Sequence, residues 1–286
     1  MFEVRSILFA TDFGEAAKAA LPELEQVARR YDAEVVLVHA LPGFWKDWLS
    51  SGLVEKQEQE RLEGWANRLE ERGIRARAEA VLRGNPAEVI VTVADRMRPS
   101  LVMIGAGDAS RLERRFIGST AESVVRHAAE PVWVAKPKPD EPLLDVLCGI
   151  DGSAASGSAL DAAASVCQRF EGKLTVVSAL HGPDFNPMGM SKHEIESEIG
   201  VYREQREQEL DAFVDERELG GVEPTRLYEW GLPADVLLSH ADDEEYDLMV
   251  VGRSGRSGLR RVLLGGTAER VMRRIPCSLL MLPAPT

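Results

Sequence analysis

Two hydrophobic patterns alternate along the chain. Short runs of Val, Ile and Leu, such as Val35-Val36-Leu37-Val38 and Leu248-Met249-Val250-Val251, are separated by longer stretches whose apolar residues recur at helical spacing. In the second half this predicts strands near 144–150, 173–180, 223–230, 247–252 and 277–282, with helices near 154–170, 192–219, 234–245 and 267–275. Pro86 and Pro233 stand where a first-turn proline belongs, and Pro276 stops the last helix. Strand, helix, strand in repeated order implies parallel sheets covered by helices on both faces, the α/β class.

The pattern is also written twice. Ile7-Leu8-Phe9-Ala10-Thr11-Asp12 matches Val146-Leu147-Cys148-Gly149-Ile150-Asp151, and Val35 to Leu41 matches Leu174 to Leu180, both 139 positions apart. Gly84-Asn85-Pro86-Ala87 matches Gly231-Leu232-Pro233-Ala234, and Gly118-Ser119-Thr120-Ala121-Glu122 matches Gly265-Gly266-Thr267-Ala268-Glu269, now 147 apart. An eight-residue insertion therefore lies between Leu180 and Gly231. A period this long is a domain duplication and not a solenoid, whose units run about 20 to 50 residues. Lys136-Pro137-Lys138-Pro139-Asp140-Glu141-Pro142 reads as the linker. The domains are expected at 1–139 and 140–286, each a five-stranded open sheet of order 3-2-1-4-5.

Length agrees, since 286 residues suffice for two cores. No apolar run approaches the ~20 residues that cross a bilayer, and Met1 to Ser6 lacks the order of a signal peptide, so a cytoplasmic protein is expected. Against 34 basic residues stand 47 acidic ones, a net charge of −13 that argues against nucleic acid or an anionic membrane as partner. The excess sits largely in 55–60 and 194–218, where helical spacing reads as solvated helix faces. Cys148, Cys167 and Cys277 are too far apart for a metal knuckle and read as buried small hydrophobes. The five histidines are scattered, with only His181 and His193 near enough in sequence for a weak surface metal site. Trp45 and Trp48 are read as core aromatics, or as cover for a pocket or a domain contact.

Candidate chemistry collects beyond the carboxyl ends of strands, where open α/β sheets bind ligands. Asp151 and Ser153 follow the first strand of the second copy and Gly252-Arg253-Ser254-Gly255 follow its fourth, so the 3-2-1-4-5 order predicts that the two loops lie side by side. Gly252, Gly255, Gly265 and Gly266 let backbone approach an anion, Arg253, Arg256, Arg260 and Arg261 add positive charge, and the helix beginning near Thr267 offers free N–H groups. Alternatives stay open: Asp12 and Asp151 could serve only as helix caps, and the arginines between Gly255 and Gly265 could be a solvated face or a domain contact. A receiver-type phosphoacceptor at Asp12 would want an acidic pair and a late lysine, neither of which is present.

The spacing Gly-x2-Gly-x9-Gly at Gly252, Gly255 and Gly265, after a strand and before a helix, joins Asp after the first strand and Gly-x-Pro-Ala ahead of a helix. Together these resemble the universal stress protein family over nearly all of both copies. The resemblance implies ATP binding, with Mg²⁺: the loop holds phosphates, the Asp faces the adenosine, and backbone at the end of the second strand meets the base. By position it implicates Gly149, Asp151, Ala179, Val251, Gly252, Gly255, Gly265, Gly266 and Thr267. It also implies pairing of the two domains through their last strands, Pro131 to Ala135 and Cys277 to Leu282, as an internal pseudo-dimer; a further homodimer of tandem chains is conceivable.

Two positions depart from the family pattern. Gly266 stands where a Ser or Thr is expected, with Thr267 one place later. In the first copy the hydroxyl is kept at Ser119, but Asp108 replaces the second loop glycine. A carboxylate about 4 Å from a phosphate costs roughly 1 kcal/mol even under water-like screening. The expected function is therefore a stress-response regulatory or sensing module binding an adenine nucleotide in the second domain, beside a degenerate first site. The alternatives are a nucleotide-free scaffold and a weak ATPase or small-ligand enzyme. No Walker lysine motif or Ser-His-Asp signature supports turnover.

Overall fold

The structure, a computed structural model, describes residues 2–41, 52–107, 117–136, 144–180, 191–243, 246–255 and 264–284. Of the expected linker, 136–142, all but Lys136 lies outside these, as do the expected domain boundary at 139/140 and Trp45, Trp48, Asp108, His181, Arg256, Arg260 and Arg261. The first copy runs β1 (Ser6–Ala10), α1 (Glu15–Tyr31), β2 (Glu34–Leu41), α2 (Leu53–Glu71), β3 (Ala76–Arg83), α3 (Pro86–Met97), β4 (Leu101–Gly105), α4 (Ser119–His127), β5 (Val132–Ala135). The second repeats it as β6 (Asp145–Gly149), α5 (Ala154–Phe170), β7 (Lys173–Leu180), α6 (Lys192–Asp215), β8 (Thr225–Trp230), α7 (Pro233–Asp243), β9 (Leu248–Gly252), α8 (Gly266–Met272), β10 (Ser278–Leu282). The helices α6 and α8 stop short of their expected ends.

Within each copy the strand order is 3-2-1-4-5, all parallel, as the alternation predicts. The two sheets are not separate. Antiparallel pairing of β5 with β10 joins them into one ten-stranded sheet, with Leu280 opposite Trp133. Alternate strand residues feed two cores. Ile7 and Phe9 pack with α1, α2, α5 and α6 on one face, while Leu8 and Ala10 pack with α3, α4, α7 and α8 on the other. Both cores run through both copies.

Polar contacts gather at the same junction, and those of Ser278 cross it. Trp133 Nε1 donates to Glu23 Oε1 at 2.7 Å and Ser278 Oγ donates to Glu23 Oε2 at 2.8 Å, in a position that is 2% exposed. Ser278 Oγ also accepts the backbone N–H of Lys136 at 2.8 Å. Tyr31 and Ser165 share a hydroxyl hydrogen bond of 3.0 Å between α1 and α5. Burial outweighs the two donors and pushes the Glu23 carboxyl up from 4.5 to about 7. The folded chain thus holds a proton that the unfolded chain releases at lower pH, so this contribution to stability is full below pH 4.5 and is lost as pH rises through about 7. Denaturation midpoints measured across this range should show the wild type losing, relative to Glu23→Gln, on the order of 3 kcal/mol between acid and mildly alkaline pH. A difference that does not change with pH would contradict a protonated Glu23.

Candidate functional site

In the second copy, β6 and β9 are neighbours, and the loops leaving their carboxyl ends converge. A Cβ built on Gly255 would stand 2.9 Å from Asp151 Oδ2, which measures how closely the two loops approach. Together with the end of β7 and the start of α7 they enclose a cavity of about 200 Å³. One wall is apolar, from Val177, Ala179, Leu237 and Val251. The opposite rim carries Asp151, Ser254, Gly255, Gly265, Gly266 and Thr267.

Each residue's place follows from local geometry. Asp151 Oδ1 accepts the Ser153 N–H at 2.9 Å, and Ser153 Oγ caps α5 by accepting the Ser156 N–H at 3.2 Å. Asp151 therefore does both jobs that its position suggests, folding the turn and lining the cavity. Ser153 does only the first and does not line the cavity, so the expectation of a ligand contact there is corrected. Gly149 lets Leu237 lean over it, with a side-chain methyl 2.9 Å from where a Cβ would sit. Gly252 is likewise explained by packing: a Cβ would meet the backbone of Ala155 in α5 at 2.9 Å. Gly266 is different, with nothing within 4 Å of a built Cβ.

The expectation for Arg253 is also corrected. Its guanidinium turns away from the cavity into the first domain, where it donates to the backbone carbonyls of Ala128 and Glu130. Its side chain is buried and its charge is spent on those carbonyls. The remaining candidates, Gly149, Asp151, Ala179, Val251, Gly252, Gly255, Gly265, Gly266 and Thr267, all line the one cavity. Ser156, Pro233, Leu237 and Ser254 line it too and were not foreseen. The Gly-x-Pro-Ala pattern at Gly231 marked the start of α7 but carried no hint that Leu237, one turn on, faces the site.

The first copy holds the equivalent cavity, lined by Asp12, Ala40, Gly105, Gly107, Gly118, Ser119 and Thr120, and it is wider, about 600 Å³. Here α2 contributes Val54 and Glu58, so two carboxylates and no Lys or Arg stand among its described lining residues. His39 also lines it, with Nδ1 2.7 Å from the carbonyl of Thr11. Phe13, at the turn where the second copy has Gly152, takes a left-handed φ of 59° and packs its ring against His39 and Trp65. Among the described residues no group of three His, Cys, Asp or Glu side chains is disposed to hold a metal ion, and no helix is long and apolar enough to cross a membrane.

The model of the universal stress protein family matches this chain twice, over residues 3–136 and 144–283. The chain belongs to that family. Universal stress protein MJ0531 of Methanocaldococcus jannaschii is 32% identical over 142 residues, 46% of this chain and 82% of that protein. Universal stress protein YxiE of Bacillus subtilis is 28% identical over 146 residues, 48% of this chain and 96% of that protein. Among solved structures, a universal stress protein from Archaeoglobus fulgidus superposes with a TM-score of 0.73, covering 99% of this chain and 100% of its own at 20% identity, a likeness of fold. The two family matches fall on the two halves of the ten-stranded sheet, so this is a tandem universal stress protein.

The packing separates the glycines of the loop by what they do. Gly252→Ala should cost about 1 to 3 kcal/mol through the clash with Ala155, whereas Gly266→Ala should leave the unfolding midpoint within about 0.5 kcal/mol of wild type. Equal losses in the two variants would contradict this division.

Proposed function

We propose that the chain binds an adenine nucleotide, ATP with Mg²⁺, in the cavity of its second domain, and acts as a cytoplasmic regulatory or sensing module in the stress response. The observation that carries this reading is the convergence of separate segments, at Asp151, at Ala179, at Gly252 to Gly255 and at Gly265 to Thr267, on one cavity. The apolar wall of Val177, Ala179, Leu237 and Val251 suits a purine, Asp151 suits ribose hydroxyls, and the backbone at Gly255, Gly266 and Thr267 suits phosphate oxygens, while the Gly265 N–H holds the loop closed on Arg253. At about 200 Å³ the enclosed space is below the ~300–1,000 Å³ of ordinary ligand pockets, so a triphosphate would fill it and extend out past Thr267. Mg²⁺ would take phosphate and water oxygens, with Asp151 as the carboxylate nearest to hand and the hydroxyls of Ser254 and Thr267 beside it. Three buried cysteines, none of them in a disulfide, favour a reducing compartment.

Chemistry outweighs volume in choosing between the two cavities. The first is larger, yet Asp12 and Glu58 line it, and Asp108 replaces the loop glycine. An anionic triphosphate meets fewer negative groups in the second. Binding is proposed without turnover, because Asp151 is the single carboxylate among the described lining residues and already folds its own turn.

Calorimetric titration of the full chain with Mg-ATP should give one site, and Gly255→Asp should weaken it at least about tenfold by setting a second carboxylate beside Asp151. Two sites would bring the first cavity into the function. No heat at several temperatures, with no nucleotide already bound, would leave a nucleotide-free scaffold as the better reading. Gly266→Ser restores a hydroxyl in open space and should tighten binding by about threefold to tenfold.

A further inference from the structure

We propose that Arg253 is a positioning residue that anchors the base of the second domain's glycine loop to the carboxyl end of α4, so that the first domain sets the geometry of the second domain's cavity. The consequence for affinity rests on the nucleotide reading above; the anchor itself does not.

Four hydrogen bonds meet at this residue. Its N–H donates to the carbonyl of Leu282 at 2.7 Å, its carbonyl accepts the N–H of Gly265 at 2.9 Å, and its guanidinium holds the carbonyls of Ala128 and Glu130. Gly265 closes the far end of the loop, so the loop's two ends are tied at Arg253 and Arg253 is tied to the other domain. Ala128 caps α4, where unpaired carbonyls carry partial negative charge that a guanidinium fork can satisfy.

The first copy separates fold from anchor. Its matching residue is Ala106, whose N–H donates to Ala135 at 2.9 Å and whose carbonyl accepts the N–H of Gly118 at 2.7 Å. The backbone scaffold of the loop therefore forms with no side-chain anchor. The carbonyl matching that of Ala128 is Ile275, which accepts from Lys136 Nζ at 2.6 Å. A carbonyl just beyond the last helix of each copy is thus held by a cation from the other domain, but only in the second copy does that cation belong to the glycine loop. Stability alone is a poor reason for the choice: Arg253 Nε is buried without a partner among the described residues, and burial pulls the guanidinium down to about 10, still charged at neutral pH.

The helix that receives the anchor begins at the other cavity. Ser119 and Thr120, the first residues of α4, line the first cavity, and Arg126 near its end reaches Glu269 of α8 at 3.5 Å. Whatever shifts α4 therefore shifts the footing of the second loop.

The test is amide hydrogen exchange of Ser254, Gly255 and Gly265 in the full chain, with Mg-ATP affinity measured alongside. Arg253→Met should speed exchange at Gly265 and weaken Mg-ATP binding, each by about tenfold, and Arg253→Lys should recover part of both. Ser278→Ala, which removes the bonds to Glu23 and to the Lys136 N–H at the same strand junction, is the control for mere loosening of the domains and should leave loop exchange within about twofold. Unchanged exchange in Arg253→Met, or an equal rise in Ser278→Ala, would overturn the anchor. Should Arg253→Met not fold, Arg253→Gln gives the same comparison. If the wild type binds no Mg-ATP the nucleotide reading falls, and exchange at Gly265 still decides whether Arg253 holds the loop.

Discussion

The rest of the structure depends on the antiparallel union of β5 with β10. A parallel sheet keeps its backbone bonds inside and needs cover on both faces and at its edges. Each half of this chain ends on a strand that no solvent can serve: Val132, Trp133 and Val134 on one side and Leu279, Leu280 and Met281 on the other are all 0% exposed. Alone, either half would present an apolar strand with a row of open N–H and C=O groups. Joined, the two edges cancel, and the two cores become continuous across the junction. The union also fixes where ligands can bind. Because β5 and β10 run in opposite directions, the carboxyl ends of the two sets of strands lie at opposite ends of the sheet, and so do the two cavities. The same geometry carries the amino end of β5 to the carboxyl end of β9, which is why a loop residue at 253 can touch carbonyls at 128 and 130.

Duplication made two cavities from one plan and then let them diverge in chemistry. Both kept a glycine where a helix backbone comes close, Gly252 against Ala155 and Gly105 against Ala16, and the second also has Gly149 beneath Leu237 and Gly255 beside Asp151. The first replaced the glycine after its first strand with Ala10, let Phe13 occupy the left-handed turn position, and brought Glu58 from α2 into the lining. The result is a trade between room and charge. Among the described residues the wider cavity is lined by two carboxylates and the narrower by one, so size alone ranks them in the opposite order from their fitness for an anion.

Much of this was legible in the residues. Alternation of apolar runs with helical spacing predicts the α/β order, and the repeat predicts two copies of one plan, because both signals are local; the 3-2-1-4-5 arrangement is not local and is inferred for the α/β class. The cavity was legible too, since glycines at strand ends leave few places for a loop to go. Arg253 was not. A basic residue inside a glycine loop reads as an anion ligand, and only the fold brings the carbonyl of Ala128, 125 positions away, within its reach. Ser153 was misjudged for a related reason: a hydroxyl beside Asp151 looks like a ligand contact, but capping α5 uses it first. Leu237 went unnoticed because an apolar residue on a helix carries no mark that distinguishes a cavity wall from a core.

A pairing as short and apolar as β5 with β10 does not define its own register, because the side chains that meet across it, Val, Trp, Leu and Met, would bury nearly as well after a slip. The polar cluster supplies what they lack. Ser278 on β10 must sit where it can both accept the Lys136 N–H and donate to Glu23, and Trp133 on β5 must present Nε1 to the same carboxyl. Moving β10 by two residues along β5 breaks both bonds of Ser278 and leaves Glu23 buried with Trp133 as its one remaining donor, at a cost of a few kcal/mol. The matching position in the second copy is Ala162, so the cluster belongs to the junction and not to the repeated domain. Its value is best understood as a penalty on wrong registers, because its own net stability is reduced by the desolvation that pushes Glu23 up. Arg253 gains its meaning from this, since a loop can be footed on a neighbouring domain only if that domain always docks in the same place.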